Sequence, residues 1–219
     1  TQSRSSAASD VYKRQNIAWR TIPSSNADLL RYGDMFGALA TISPYNVFSY
    51  IPRYSPDELR KAGRTYPPEI TRRYLYLPDS VPERVLSLAH EITGTELSPY
   101  DQALAIEAYL HQYPYTLDVV PPPFSEDVVD YFLFTTQKGY CDYYASAMVV
   151  MARAVGLPAR IVVGYVDGDY DPATSQYLVR RKDAHTWVEI YFSGIGWVEF
   201  EPTGSQLTLS EEDIGNIQE

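Results

Sequence analysis

Apolar residues recur at helical spacing in three segments between residues 55 and 112. Each segment begins at a Ser that has a Pro one or two residues later, which is typical of a helix N-terminus. Helices are therefore predicted to start after Ser55, Ser80 and Ser98, and the first two are predicted to end at Gly63 and Gly94. The apolar stripes of the second and third helices are formed by Val85, Leu88, Ala89, Ile92, Ala103, Ile106 and Leu110.

A fourth helix is predicted from Cys141 to a stop at Gly156. Its stripe consists of Ala145, Met148, Val149, Ala152 and Val155. Residues 157–166 form an apolar run of the buried-strand type, and two further strands flank a Ser-Gly-Ile-Gly turn at residues 193–196. Weaker patterns predict one or two strands between Asn16 and Arg53, a short strand after Pro114 and a helix start at Ser125.

Length and charge narrow the classes of protein to which the chain can belong. With 219 residues it is one large domain or a domain with an extension. Its net charge of −10 argues against a nucleic-acid partner, which needs a concentrated basic surface. It contains no apolar run of the roughly 20 residues that a membrane span requires. The chain itself is therefore not expected to span a membrane.

The single cysteine is the first candidate for chemistry. One cysteine excludes an internal disulfide and a multi-cysteine zinc site. Cys141 falls in the first turn of the predicted helix, where unpaired N–H groups and the helix dipole favour a thiolate and can bind an oxyanion. A tight turn at Gly139 is expected to precede it. The alternative is an inert, buried cysteine, which is the commoner fate of a lone Cys.

An imidazole and a carboxylate follow on the two predicted strands. His185 and Glu201 would be cross-strand neighbours if the connection has an odd number of residues or contains a bulge. A tight turn centred on residues 194–195 would instead place Glu201 opposite Val188, on the wrong face. Asp183 and Glu199 are weaker candidates for the third residue. A thiol, an imidazole and a carboxylate are the groups of a nucleophilic acyl-transfer site.

The remaining histidines and an acidic run are given structural interpretations. His90 and His111 lie in predicted helices without further ligands at metal-binding spacing, so they are interpreted as solvated or helix-end residues. Three aspartates alternate like the start of a calcium loop: Asp167, Asp169 and Asp171. Pro172 and Leu178 occupy the positions where that loop needs Gly and Glu, so a solvated connector is favoured over a metal site.

Four linked motifs resemble those of the transglutaminase-like superfamily, in particular its bacterial domains in membrane-anchored proteins. In order, they are GYCDYYA, RAVGLPARIVVGY, DAHTWVEIY and GWVEFEPT. The clear match runs from about Tyr74 to Thr203, and residues 16–73 resemble the family only weakly. The chain is thus divided into a disordered or non-native leader (1–15), which lacks an apolar core pattern, an extended and helical lead-in (16–73), a transglutaminase-like catalytic domain (74–204) and an acidic tail (205–219). The leader has no initial Met, which suggests a piece of a longer protein.

The resemblance implies an α+β fold of the papain/transglutaminase type and a cysteine acyltransferase or hydrolase acting on protein or peptide carboxamides. It makes Cys141 the nucleophile and His185 the base, and Glu201 occupies the position of the family aspartate. It implies no cofactor and no metal, and it places the domain outside the cytoplasmic membrane of a bacterium, in an anchored parent protein.

Two alternatives to an active enzyme stay open. The glutamate at position 201 is also consistent with a degenerate domain that binds peptide or cell-wall material, and a buried Cys141 would indicate a purely structural module. Tyr140, Tyr165 and Trp187 are predicted to support the site. The 20 tyrosines as a group fit either an acceptor groove or ordinary packing, and packing is the commoner role.

Overall fold

The computed structural model describes residues 54–95 and 97–204, together with the backbone of four short strands between Asn16 and Tyr50. The predicted leader (1–15) and acidic tail (205–219) lie outside the described residues. The chain forms two compact units. Within the described residues, the larger unit holds the helices and a three-stranded sheet, and the smaller unit holds six short strands.

The helices in chain order are α1 (Pro56–Arg60), α2 (Pro68–Tyr74), α3 (Glu83–Thr93), α4 (Pro99–Leu110), α5 (Val128–Tyr131) and α6 (Cys141–Ala154). A π-helix, Phe132–Thr136, continues α5, and a 3-10 turn, Arg181–Asp183, precedes β8. The strands are β1 (Asn16–Ile17), β2 (Ala27–Tyr32), β3 (Met35–Ala40), β4 (Ser49–Tyr50), β5 (Ala159–Tyr165), β6 (Asp169–Asp171), β7 (Gln176–Leu178), β8 (Ala184–Phe192) and β9 (Gly196–Phe200).

The strands pair antiparallel throughout the described sheets. In the smaller unit β1 pairs with β4, β2 with β3 and β6 with β7, and in the larger unit the order is β5-β8-β9. Helices packed beside an antiparallel sheet confirm the α+β fold class. The hairpin of β6 and β7 occupies the acidic segment that was predicted as a connector.

Capping residues explain where two of the predicted helices begin. Ser55 and Glu58 form the reciprocal bonds of a capping box at the start of α1, as predicted. Ser98 caps α4 by accepting from the N–H of Asp101 at 3.1 Å. The predicted end of α1 at Gly63 is wrong, since the helix already stops at Arg60.

Two other predicted caps are wrong for local reasons. The residue that precedes Pro82 is sterically disfavoured in the helical region, so α3 starts only after this proline and Ser80 is too far away to cap it. At α5 the side chain of Asp127, not Ser125, accepts the two free N–H groups. The predicted stop of α3 is confirmed, since Gly94 has a positive φ of 56°.

Helix α6 lies at the centre of the core and confirms its predicted apolar stripe. It packs against α3, α4 and α5 as well as against β5 and β8. Its fully buried residues include Tyr144, Ala145, Ala147, Met148, Met151 and Ala152. A helix held by neighbours on several sides is a rigid support for a side chain at its N-terminus.

Two strand predictions need correction. Strand β5 is not buried on both faces: it pairs only with β8 in the described sheet, and Ile161 and Val163 are 45% and 66% exposed. Its apolar run therefore did not reveal its position at the sheet edge. The strand predicted after Pro114 is reduced to a single parallel bridge between Tyr115 and Gly139.

An ion pair with a buried carboxylate joins β5 to β8. Arg160 and Glu189 are opposite each other in the ladder, and Arg160 Nε donates to Glu189 Oε2 at 2.7 Å. The Glu189 side chain is 2% exposed. The guanidinium also lies 4.1 Å from the centre of the Trp197 ring. The two motif residues Arg160 and Glu189 thus support the sheet.

Replacing Glu189 with Gln should lower the free energy of unfolding by about 3 kcal/mol, because it removes the buried carboxylate that pairs with the largely buried Arg160 guanidinium. Urea denaturation measures the change. The control is Glu91→Gln on the exposed surface of α3, which should change stability by less than about 0.5 kcal/mol. Equal effects of the two substitutions would contradict a stabilising role for the pair.

Candidate active site

Cys141 is the first residue of α6 and is partly exposed. Tyr140 is the N-cap residue in an extended conformation, and the first helical bond runs from Tyr143 N to Tyr140 O at 2.9 Å. The N–H groups of Cys141 and Asp142 therefore precede the hydrogen-bond ladder of the helix. The structure confirms the position that the sequence predicted for the thiol.

Gly139 holds this helix start close to a neighbouring segment. Its carbonyl accepts from Thr116 N at 2.8 Å, and its N–H donates to Pro114 O at 3.3 Å. A Cβ at this position would lie 3.1 Å from the Cβ of Tyr143. Its φ lies outside the left-handed region, so glycine is favoured here by the close approach of Tyr143 and not by a positive φ.

The connection between β8 and β9 has three residues. Phe192 pairs with Gly196, which leaves Ser193–Ile195 as the loop. Gly194 and Gly196 have φ values of 77° and 108°, conformations that glycine adopts at little cost. The odd-length loop is one of the two solutions that the strand pattern allowed, and the tight-turn alternative is wrong.

This loop sets the face on which the carboxylate lies. The ladder ends where Val188 pairs with Phe200, so the next position brings Glu201 level with Trp187. Trp187 and His185 share a face because side chains alternate along a strand. Glu201 therefore reaches His185 along a diagonal and is not directly opposite it.

The three predicted residues meet at the N-terminus of α6. The His185 ring donates from Nε2 to Glu201 Oε2 at 2.6 Å. The Cys141 side chain lies close enough to the ring to raise the pKa of His185, and its Sγ donates to Asp142 Oδ1 at 3.9 Å. Because Nε2 faces the carboxylate, Nδ1 is the nitrogen left for the thiol. The His185 side chain is 9% exposed and that of Glu201 is 41% exposed, so the imidazole is shielded while the carboxylate borders the solvent.

These contacts decide the charge of the imidazole. Burial lowers the pKa of His185, but the hydrogen bonds to Cys141 and Glu201 and the charges of both groups outweigh it and raise this pKa to about 9. The ring is therefore protonated at neutral pH. An imidazolium between a sulfur atom and a carboxylate can deliver a proton to a leaving group.

Two of the three predicted supporting residues, Trp187 and Tyr140, lie next to His185 and Cys141. The Trp187 ring is stacked beside that of His185, with centroids 6.3 Å apart and planes at 16°, and is 4% exposed. Tyr140 caps α6 and packs edge-on against Tyr143. Tyr165 ends β5 and pairs with Ala184, so its side chain lies on the face of the sheet opposite to that of His185. Their contribution to substrate binding stays a prediction.

The two weaker candidates for the third residue are engaged elsewhere. Asp183 Oδ2 accepts from the main-chain N–H of Arg180 at 2.6 Å. Glu199 lies opposite Glu189 in the ladder. The structure brings Glu201, and neither of these residues, to His185.

A second link between helix and strand was not anticipated from the sequence. Thr186 Oγ1 donates to Asp142 Oδ1 at 2.5 Å. Asp142 follows Cys141 and Thr186 follows His185, so this bond ties together the two elements that carry the thiol and the imidazole. The only signal in the sequence is that each residue is a polar neighbour of a candidate catalytic residue.

Helix α4 supplies two further residues that sequence reasoning missed. Glu107 Oε1 accepts from Glu201 N at 2.8 Å, and His111 Nε2 donates to Glu201 O at 2.7 Å. His111 does lie at the end of a helix, as expected, but its ring binds the main chain beside the site. His90 is exposed on α3.

Within residues 54–95 and 97–204, no group of three or more His, Cys, Asp and Glu side chains is arranged to hold a metal ion. In the same part of the chain, no helix is both long and apolar enough to cross a lipid bilayer.

A comparison with models of protein families matches the part of the chain that carries this site. Residues 86–202 match the family model described as the transglutaminase-like superfamily. The chain belongs to this superfamily. The matched segment contains Cys141, His185 and Glu201, together with the α4 residues that bind Glu201.

Two curated relatives have similar sequences. The uncharacterized protein YebA of Bacillus subtilis (strain 168) is 44% identical over 177 residues, which cover 76% of this chain and 24% of the relative. The protein-glutamine gamma-glutamyltransferase of Pseudomonas aeruginosa is 36% identical over 148 residues, which cover 68% of this chain and 22% of the relative. The chain thus spans about a quarter of the length of these relatives.

A solved structure has a similar fold. The crystal structure of the periplasmic domain of TgpA from Pseudomonas aeruginosa superposes with a TM-score of 0.57 at 37% identity. The match covers 64% of this chain and 48% of that chain. The likeness extends to a structure of the same domain bound to ethylmercury, with a TM-score of 0.56.

Proposed function

We propose that this chain is a cysteine acyltransferase that acts on the γ-carboxamide of glutamine residues in proteins or peptides through a thioester. The observation that carries the proposal is the position of one imidazole, His185, which is hydrogen-bonded to the Glu201 carboxylate and lies beside Cys141 at the start of α6. The printed name of the Pseudomonas relative, protein-glutamine gamma-glutamyltransferase, supports this choice of acyl donor.

In the first half-reaction, the sulfur of Cys141 attacks the carboxamide carbon. The carbonyl oxygen becomes an oxyanion, and the main-chain N–H groups at the start of α6 are available to donate to it. The His185 imidazolium gives a proton to the amide nitrogen, which leaves as ammonia. The products are a γ-glutamyl thioester on Cys141 and a neutral imidazole.

In the second half-reaction, an amine attacks the thioester carbon. His185 takes the proton that the amine loses, and the Cys141 thiolate is expelled. An acceptor lysine gives an isopeptide crosslink, and water gives a carboxylic acid instead. Glu201 keeps the ring oriented and stabilises its charge in both steps. No step needs a metal or an organic cofactor.

The proposal is tested by incubating the chain with a glutamine-containing protein and a fluorescent primary amine. Covalent fluorescence on the protein, with release of one ammonia per amine incorporated, is the expected result. Ammonia release without incorporation would assign hydrolysis. If neither occurs with a panel of glutamine and asparagine proteins, the proposed activity is wrong and the degenerate binding domain is favoured.

The His185 pKa predicts a pH dependence. Activity should fall as the pH rises through about 9, where the imidazolium loses the proton needed by the leaving ammonia. In Glu201→Gln the alkaline limb should move to lower pH, because the carboxylate that favours the protonated ring is gone. The pH profile of kcat/KM measures this shift. Identical alkaline limbs in the two proteins would contradict the assigned role of Glu201.

The same pKa shift links pH to folding. Since the folded-state pKa of His185 is raised from 6.5 to about 9, its contribution to stability is complete below pH 6.5 and is lost as the pH rises through 9.

We also propose that the domain works outside the cytoplasmic membrane as part of a longer, membrane-anchored protein. The support is its likeness to a structure described as a periplasmic domain. A reporter enzyme that is active only outside the cytoplasm, fused after Thr203 in the full-length protein, tests this. Reporter activity is expected, and activity of a cytoplasmic reporter at the same position would overturn the placement.

A further inference from the structure

The main chain of Glu201 leaves the sheet just where its side chain is needed. Strand β9 ends at Phe200, so neither main-chain polar group of Glu201 takes part in the β8–β9 ladder. A glutamate has three rotatable bonds, and its side chain here is 41% exposed. Without other restraints, such a side chain would spend much of its time away from His185.

Two side chains of α4 replace the missing ladder bonds. The Glu201 N–H donates to Glu107 Oε1 at 2.8 Å, and the Glu201 carbonyl accepts from His111 Nε2 at 2.7 Å. A carbonyl only accepts, so the proton of His111 is on Nε2. Glu107 and His111 are four residues apart and therefore lie on the same face of the helix. Both main-chain polar groups of Glu201, its N–H and its carbonyl, are thus held by one face of α4.

The carboxylate itself is fixed at both oxygens. Oε2 accepts from His185 at 2.6 Å, and Oε1 accepts from Thr203 N at 3.0 Å. With the two α4 bonds, all four polar positions of Glu201 have partners. With every polar group bonded, the conformation of Glu201 is fixed, which a residue that orients a catalytic side chain requires.

The helix that supplies these bonds is rigidly placed. Ala103, Ile106 and Leu110 of α4 are completely buried in the core. His111 is the C-cap residue and is itself exposed, so packing does not account for the position of its ring. The titratable groups that face one another here are Glu107, His111 and Glu201. Burial raises the pKa of Glu107; the Glu201 N–H bond and His111 oppose this shift, while the charge of Glu201 adds to it.

We propose that Glu107 and His111 are positioning residues that hold the main chain of Glu201 so that its carboxylate meets His185. The proposal rests on the proposed function for the role of Glu201 in orienting the imidazole. It predicts that loss of either α4 bond releases the Glu201 carboxylate and lowers the pKa of His185.

The test measures the His185 pKa by NMR, which needs no substrate. The chain has three histidines, so variants at positions 90 and 111 assign the signals. Glu107→Ala should lower the His185 pKa by about 1 unit. Glu107→Gln removes the same charge but keeps an oxygen that accepts from Glu201 N–H, so it should retain most of the wild-type value. The difference between the two variants isolates the hydrogen bond.

A second pair of variants, at His111, probes the hydrogen bond to the Glu201 carbonyl. His111→Ala removes the donor to the Glu201 carbonyl, whereas His111→Gln keeps an N–H donor and should restore the His185 pKa. This pair carries the test if Glu107→Ala does not fold. In the acyl-transfer assay, Ala variants should lower kcat with little change in KM.

A merely structural role gives a different result. In that case Glu107→Ala and His111→Ala lower the thermal midpoint but leave the His185 pKa equal to that of the Gln variants, and the proposal is overturned. The outcomes also separate from those of the proposed function. If the wild-type chain shows no acyl transfer but the Ala variants lower the His185 pKa, only the proposed activity is refuted. If acyl transfer occurs but the His185 pKa is the same in the Ala and Gln variants at each position, only the positioning role is refuted.

Discussion

Replacing Cys141 with alanine should reduce acyl transfer and hydrolysis by at least about 10⁴-fold, because no other group in the proposed mechanism can form the thioester. The chain has no second cysteine to substitute for it. Amine incorporation and ammonia release, measured with the purified variant, check the expected loss. Residual turnover close to the wild-type rate would show that the thiol is not the nucleophile.

The fold should survive this substitution. Cys141 is only partly buried, and alanine is a strong helix former at the start of α6. Unchanged circular dichroism and a thermal midpoint close to that of the wild type are therefore expected. The matched control is Ser146→Ala, a partly buried position in the same helix that lies outside the proposed triad, and it should keep activity.

Replacing His185 with glutamine should lower kcat by about 10²- to 10⁴-fold and leave KM nearly unchanged. Glutamine can still form hydrogen bonds in this place, but it cannot carry the proton that His185 holds with a pKa of about 9. Steady-state kinetics with a glutamine peptide measure the effect. A large increase in KM at constant kcat would assign His185 to substrate binding instead.

Local signals were sufficient to place the thiol. A glycine, a cysteine and then an apolar stripe at helical spacing predicted Cys141 in the first turn of α6, and the structure agrees. Such signals lie within about four residues of one another, where helix capping and side-chain periodicity act. The predicted caps failed at Ser80 and Ser125 because neighbouring residues, Pro82 and Asp127, govern where those helices begin.

The pairing of His185 with Glu201 could be narrowed to two registers but not decided from the sequence. A shift of one residue moves a side chain to the other face of a sheet, and the deciding feature is the loop Ser193–Ile195. The two glycines of positive φ permit this loop without imposing it. The register became known only from the folded hairpin.

The contacts of Glu107 and His111 with Glu201 could not be predicted. They join residues 94 and 90 positions apart in the chain, and no local periodicity links such positions. For the same reason His111 was interpreted only as a helix-end residue. Tertiary packing of α4 beside the end of β9 creates the contact, and packing is what a single sequence specifies least directly.

The most direct measurement of the central claim is the rate at which iodoacetamide alkylates Cys141, followed by mass spectrometry between pH 5 and 10. A thiol paired with the His185 imidazolium should react at neutral pH faster than free cysteine, and it should lose most of this advantage in His185→Gln. Alkylation no faster than that of free cysteine, or a rate unaffected by the loss of His185, would contradict the proposed catalytic pair.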